Sequence, residues 1–409
     1  MGGRQMKEME PFKLLVSHEE AEELIKSKII PIDRVEDIAI QDAVNRVMAE
    51  DIVADRFVPP FDRSAMDGYA VIAEDTFKAG EQEVLLTLDG VIHAGEVSES
   101  TITRGHCLQI ATGSPIPSGA DAVVMVEFTQ QQEGHILITK PVYPGANISR
   151  RGEDISEGDV VLKKGSVLSP SKIGTLTALG KTQVKVYQMP LVSVIATGTE
   201  IVPPGKPLSP GQIYDVNSYT LEAVLKKNGA VVVRHPIITD ESDRLAQELE
   251  SALESDMIIF SGGSSVGEKD LLANILEDMG EILFHGVQIK PGKPTLFGTV
   301  KRKPVFGMPG HPTSCLSNAY IFLIPAIRKM AHLPMNIART VKARMGKRIV
   351  SSSGRKQFLT VRLENNIAYP VFKHSGAITS MAQADGYIML PVNLDVIEEG
   401  EEIEVILLD

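Results

Sequence analysis

Hydrophobic residues change their spacing three times along this chain, and each change predicts a different kind of structure. Ser17 and Glu20 form a capping-box pattern, and Ala21, Leu24 and Ile25 then recur at helical intervals, so the first fifty residues read as helical. Between about 55 and 148 the apolar runs become short, at 84–88, 122–128 and 135–139, with Gly, Pro and acidic turns between them. That pattern predicts a β-rich module. Ser169 and Pro170 read as the cap and first residue of a helix stopped by Gly180, with a strand over 183–187 behind it.

After Met189 the pattern becomes regular. Strands are predicted at 191–196, 231–238, 257–260, near 282–289 and near 305–308. Helices fall between them: one capped by Asn217 and ended by Gly229, one capped by Asp240 and running to about 253, one after Asp270, and one from 312 to 330. Such alternation predicts a parallel sheet covered on both faces, with ligands beyond the carboxyl ends of its strands. From about Pro334 short strands return, including the alternating run 402–407, and predict a small β module.

Composition narrows the function classes. The 409 residues suit about two to four domains, and 43 % hydrophobic with 23 % charged residues is ordinary for a globular protein. The most apolar stretch, 320–327, is too short to span a membrane and contains Pro325. MGGRQMKEME lacks the apolar core of a signal peptide, and Met6 stands where a myristoylation signal needs Ser or Thr, so a cytoplasmic location is expected. A formal charge of −12 disfavours a general nucleic-acid binder. Cys107 and Cys315 are far apart and fit neither a disulfide framework nor a zinc pattern.

Three loops at the predicted carboxyl edge carry unusual chemistry. SGGSSVGEKD (261–270) joins a strand to a helix through Gly262 and Gly263, so free N–H groups and the positive helix end suit an anion. Ser264 and Ser265 add hydroxyl donors, while Glu268 and Asp270 place carboxylates where a phosphate-bound Mg²⁺ can be held. The alternative is a plain strand–turn–helix connection; the segment is not a Walker A loop, because Glu268 follows Gly267. In ATGTE (196–200) Glu200 ends a strand and, like Asp240, is a candidate for metal or a ligand hydroxyl, although Asp240 also reads as a simple cap. GMPGHPTS (307–314) sets Pro309 and Pro312 around a glycine before a helix whose Thr313 and Ser314 can face an anion; an ordinary turn is the alternative.

KPGKP (290–294) places Lys290 and Lys293 on a stiff turn, either around one oxyanion or as two solvated side chains. His311 is a candidate base or a structural loop residue, and Cys315 reads as core. PPFDRSAMDGYAV (59–71) packs more polar and turn residues into a loop than connectivity needs.

PPFDRSAMDGYAV, ATGSPIPSGADAVV (111–124), SGGSSVGEKD, KPGKP and GMPGHPTS, in this order, resemble the molybdopterin molybdenumtransferase family, MoeA in bacteria and the E domain of gephyrin, over roughly 11–409. The resemblance implies an α/β multidomain protein: 1–54 with 149–188 as an elongated helical domain, 55–148 as an inserted β-rich domain, 189–333 as an α/β molybdopterin-binding domain, and 334–409 as a β-barrel-like domain. It implies a homodimer that inserts molybdenum from molybdate into the dithiolene of molybdopterin adenylate, releasing AMP with Mg²⁺ assistance. The molybdopterin adenylyltransferase is a further implied partner. Alternatives are that adenylyltransferase activity itself, disfavoured by the long stretch before Met189, and a gephyrin-like scaffold.

Residue by residue, the resemblance carries functional roles onto Asp67, Thr112, Asp154, Glu200, Asp240 and Asp270, and onto Lys290, Lys293, Ser314, Arg355 and Ser375 near the oxyanion. Asp270 is expected to ligate Mg²⁺ or position water, with Glu200 as a further metal ligand and Asp240 supporting ligand placement. Asp67 is expected to complete the site from a partner subunit. Two departures stand out: the family commonly has Val at Ser264 and Asn at His311.

Overall fold

The computed structural model describes residues 14–262, 271–335, 339–351, 354–371 and 376–408. The chain divides into two compact units, one formed by residues up to 36, 45–47 and those from 186 onward, the other by 37–44 and 48–185.

The first unit begins with α1 (His18–Lys28). Ser17 Oγ accepts from Glu20 N at 3.1 Å, and the helix carries Glu19 and Glu20 in its first turn and Lys26 and Lys28 in its last, matching its dipole. The helical reading of the first fifty residues holds only here. Pro31 drives the preceding residue into extended backbone, and the next element is the strand Val35–Ala39.

The α/β part contains β1 (Leu191–Ala196), α2 (Asn217–Lys227), β2 (Val231–Arg234), α3 (Ser242–Ser251), β3 (Met257–Ser261), α4 (Leu271–Met279), β4 (Gly280–His285), β5 (Leu296–Val300), β6 (Lys303–Met308), α5 (Pro312–Asn318) and α6 (Ile324–Met330). The sheet order is β2-β1-β3-β6-β5-β4. β3 is buried at every position, as a strand covered on both faces must be. Its side chains alternate between two cores. Met257 and Ile259 join Val192, Val194 and Phe306 beneath α1, α2, α5 and α6, while Ile258 and Phe260 join Ile195 and Val305 beneath α3 and α4.

Only β2, β1, β3 and β6 are parallel; β5 and β4 add to the edge in antiparallel fashion. The sequence pattern missed β5. It forms a hairpin with β6 through Lys301 and Arg302, both at positive φ (47° and 67°), and this pair lacks the Asn-Gly signal that marks such turns. The predicted helix over 312–330 is α5, a π turn (Ala319–Leu323) and α6. Pro325 has no N–H to give to the preceding turn, and the wider turn accommodates it.

Asp256, just before β3, is 5 % exposed at its side chain. It accepts both Arg34 guanidinium nitrogens (3.0 and 2.7 Å) and Leu191 N (2.9 Å), with Lys303 at 3.5 Å. Burial opposes its ionisation, but these donors outweigh it and hold the carboxyl below its ordinary range. Arg34→Ala should therefore cost about 1.5–3 kcal/mol at neutral pH by denaturant unfolding. Because the folded pKa is depressed, this contribution is present above the unfolded value of 3.8 and is lost as pH falls through the folded value, so the gap to wild type should narrow there.

The C-terminal strands β7 (Thr340–Met345), β8 (Lys356–Glu364), β9 (Ile367–Pro370), β10 (Gly386–Leu390) and β11 (Glu402–Leu407) pair in the order β8-β9-β7-β11-β10, and β10 returns to β8. The result is a closed five-stranded barrel around Ala343, Leu359, Val361, Ile388 and Val405, which leaves none of these strands as a sheet edge.

The second unit has a six-stranded sheet in the order Ala122–Met125, Gly68–Val71, His106–Ile110, Val84–Ile92, His135–Ile138, Thr129–Gln132. The apolar runs at 84–88 and 135–139 fall on strands of it, and the run 122–128 is a strand to Met125 and then a 3-10 turn over Val126–Phe128. The helix Pro170–Ala178 starts as expected, with Ser169 Oγ accepting from Lys172 N at 3.4 Å. Among the described residues no helix is long and apolar enough to cross a membrane.

Candidate active site

Three neighbouring strands of the parallel sheet end together. Thr197 N donates to Ser261 O (3.0 Å), Gly262 N to Met308 O (3.3 Å) and Gly198 N to Ile238 O (3.2 Å), so the loops leaving β1, β3 and β6 and the segment approaching Asp240 share one edge. Backbone crowding explains Gly262. At φ +99° its added Cβ would lie 2.5 Å from Thr197 O, a position no side chain tolerates. A Cβ on Gly198 would similarly meet the Glu200 carboxylate at 2.9 Å. Glu200 is exposed, and its carbonyl accepts from Ile213 N at 2.9 Å.

Buried polar atoms are normally paired, yet Thr197 Oγ1, Asn217 Oδ1 and Asp240 Oδ1 at this edge have no hydrogen-bond partner among the described residues. Asp240 does not cap α3: that helix begins at Ser242, with Glu241 at the cap position. Asn217 is not the cap of α2 either. Asp215 accepts from Ser218 N (3.0 Å) and from its hydroxyl, whereas Asn217 lies inside the helix and donates Nδ2 to Gly310 O at 2.8 Å. This ties the β6–α5 loop to α2. Sequence reasoning missed Asp215 and Ser218, because spacing alone did not say which polar residue of DVNS supplies the cap.

Pro309 is buried, His311 is exposed, and Pro312 opens α5. Ser314 is 4 % exposed, and Thr313 Oγ1 donates to Ala377 O at 3.0 Å, fastening the helix start to the C-terminal part. The KPGKP turn is held from behind by Asn318 at the end of α5. Its Nδ2 donates to Gly292 O (2.9 Å) and Thr295 Oγ1 (2.5 Å), and a Cβ on Gly292 (φ +103°) would lie 2.4 Å from that amide. Lys290 is exposed and Lys293 half-buried. Ile289–Lys290 pairs with Lys356 and Gln357, which brings the exposed Arg355 beside the first lysine's strand.

In the second unit the motif residues also converge. Thr112 donates its N–H (2.7 Å) and hydroxyl (2.9 Å) to Asp67 Oδ1, and these bonds hold the Asp67 carboxyl below its ordinary range. Gly68 fixes the next residue, since a Cβ there would stand 1.9 Å from Val124 O. Asp62 accepts from Arg150 Nη1 (2.7 Å) and Arg151 N (2.8 Å), while Asp154 N donates to Val58 O at 3.1 Å. Asp67 and Thr112 are thus joined in one exposed loop pair, and Asp154 is exposed on the segment tied to Val58. Asp62, inside PPFDRSAMDGYAV, and its partners Arg150 and Arg151 were not singled out from the sequence.

Gly263, Ser264, Ser265, Asp270 and Ser375 lie outside the described residues. Among the described residues no group of three or more His, Cys, Asp or Glu side chains is placed to hold a metal ion. Both cysteines are buried and free, and burial pushes each thiol up to about 12, so neither is a ready nucleophile.

Residues 16–180 match the MoeA N-terminal region (domain I and II), 193–329 the probable molybdopterin binding domain, and 342–408 the MoeA C-terminal region (domain IV). The chain is 34 % identical over 378 residues to the molybdopterin molybdenumtransferase of Staphylococcus aureus, covering 90 % of each chain. It is 39 % identical over 299 residues to that of Haemophilus influenzae, covering 73 % of each. A solved molybdopterin biosynthesis MoeA protein from Pyrococcus horikoshii superposes with a TM-score of 0.82 at 34 % identity, over 96 % of this chain and 100 % of that one. The ordered motifs, the three consecutive matches and the whole-length similarity agree: the chain belongs to the MoeA family of molybdopterin molybdenumtransferases, transferases of molybdenum cofactor biosynthesis.

Proposed function

We propose that this chain acts as a cytoplasmic homodimer that takes adenylated molybdopterin and molybdate, inserts molybdenum at the dithiolene and releases AMP with Mg²⁺ assistance. The carrying observation is the shared strand edge, where Thr197 Oγ1, Asn217 Oδ1 and Asp240 Oδ1 are buried oxygens without a hydrogen-bond partner among the described residues. Gly262 and the start of α5 lie on the same edge and offer close backbone approach to an anion. The molybdenum-binding sulfurs belong to the substrate, which suits a chain whose two thiols are buried.

The residues fit Mg²⁺ in a particular way. This ion keeps several waters and needs only one or two protein carboxylates beside substrate phosphates, and Asp270 with the exposed Glu200 can contribute these, Asp240 supporting ligand placement beside them. When bound, the ion would neutralise charge on the phosphoanhydride. Asp270 orients the water, and Gly262 lets the backbone approach the phosphates. Lys290, Lys293 and Arg355 hold the molybdate dianion, with Ser314 and Ser375 as hydroxyl donors. The Asn318 brace fixes the lysine turn in advance, so little ordering is left for binding.

The basic test is AMP release from molybdopterin adenylate with and without molybdate; release that ignores molybdate sinks the reading. Lys290→Ala or Lys293→Ala should raise the molybdate concentration for half-maximal rate by roughly 10-fold or more, with a smaller change in affinity for the adenylated pterin. If pterin affinity collapses while the molybdate dependence stays as it was, the lysines serve the phosphates instead.

A further inference from the structure

A cavity of about 580 Å³ lies in the first unit, between α1, the end of α2, α6 and the barrel strands β8, β10 and β11. It is separate from the strand edge. α2 presents Asn217 to that edge, but the cavity is reached by Val224, Lys227 and Asn228 at the helix's other end, about 15 Å away at the rise of an α-helix. In the same way Pro312 and Ser314 belong to the edge, whereas Ile324 and Arg328 of α6 line the cavity.

Its charge is one-sided. Among the described residues Lys227, Arg328, Arg339 and Lys356 line it, against one carboxylate, Glu22. Arg328 is half-buried, and among the described residues it donates to neutral groups: Nε to Pro334 O (2.9 Å) and Nη1 to Asn228 Oδ1 (3.2 Å). Burial lowers its pKa, the mark of a guanidinium taken out of water without a counter-ion. Lys356 is held by Glu19 (2.9 Å) and by His18 (3.2 Å), whose imidazole burial pushes down to about 4, so that ring is neutral. Burial also raises the Glu22 carboxyl, which makes the single opposing charge costly. The remaining wall is apolar and aromatic: Tyr387, stacked on Phe358 at 4.1 Å, with Met389 and Leu408.

A wet surface cleft needs none of this. Guanidinium groups without carboxylate partners recognise phosphate in fork geometry, and a flat ring beside aliphatic side chains accepts a planar heterocycle. The volume lies within the range of small-molecule sites. We propose that this cavity is a second ligand site, taking a nucleotide-sized organic phosphate with its phosphate toward Arg328 and Arg339 and its ring against Tyr387. The inference does not depend on which reaction the strand edge performs.

AMP is the probe, with adenosine as the uncharged control and citrate as a carboxylate control, each titrated calorimetrically into the full-length protein. The double variant Arg328→Gln with Arg339→Gln should bind one AMP fewer per chain than wild type, with molybdate-dependent AMP release unchanged. Adenosine should bind at least 10-fold more weakly than AMP at the lost site. Arg339 is exposed and makes no side-chain hydrogen bond among the described residues, so Arg339→Gln alone remains informative if the double variant does not fold; about 10-fold weaker AMP binding is expected. An unchanged AMP count, unchanged affinity in the Arg339 variant, equal binding of adenosine, or citrate bound in place of AMP would each overturn the proposal. Failure of the transferase reading would show separately, as wild type without molybdate-dependent release.

Discussion

Asp270→Asn should lower molybdate-dependent AMP release roughly 100-fold or more while leaving thermal unfolding unchanged. The substitution keeps the side chain's shape and removes its charge. In sequence Asp270 directly precedes α4 and follows β3, which sits between β1 and β6. A carboxylate there that orients water or contributes to a Mg²⁺ shell acts in the transition state, so turnover should fall more than substrate affinity. Raising Mg²⁺ should recover part of the loss if the role is ligation. Normal turnover in the variant would remove Asp270 from the mechanism, and a loss confined to substrate affinity would make it a binding group.

Mixing an Asp67→Asn subunit with an Asp270→Asn subunit should restore activity that neither variant has alone. Asp67 belongs to the unit of 37–44 and 48–185, and Asp270 to the chain from 186 onward. Thr112 holds the exposed Asp67 carboxylate ionised by two hydrogen bonds, and among the described residues no cation is paired with it. In a two-fold dimer with shared sites, one site of the heterodimer collects both lesions and the other has neither. The expected recovery approaches half of the wild-type rate per heterodimer. Heterodimers that form and stay inactive would place both residues in one subunit's site or couple the two sites obligatorily.

The sequence by itself determined the chemistry and most of the strand-and-helix order. The five motifs held Gly262 and the start of α5 at the strand edge and Asp67 with Thr112 in the second unit, while Thr197, Asn217 and Asp240 lie outside them; glycines forced by close approach, Gly262 to the Thr197 backbone and Gly292 to the Asn318 amide, are local requirements written at single positions. The alternation after Met189 likewise reported strands buried on both faces, a property each strand carries in its own composition. What only the tertiary structure decided depends on residues far apart in the chain. The β5–β6 hairpin turns on Lys301 and Arg302, whose positive φ is imposed by the strands they join rather than announced by their types. Asp240 and Asn217 read as helix caps by spacing, yet one carries a buried oxygen without a partner among the described residues and the other reaches Gly310, ninety-three positions away. The barrel closes through a pairing between β8 and β10, and the cationic cavity draws its wall from α1, α2, α6 and that barrel; neither leaves a local signature, since each is made by packing distant segments against one another.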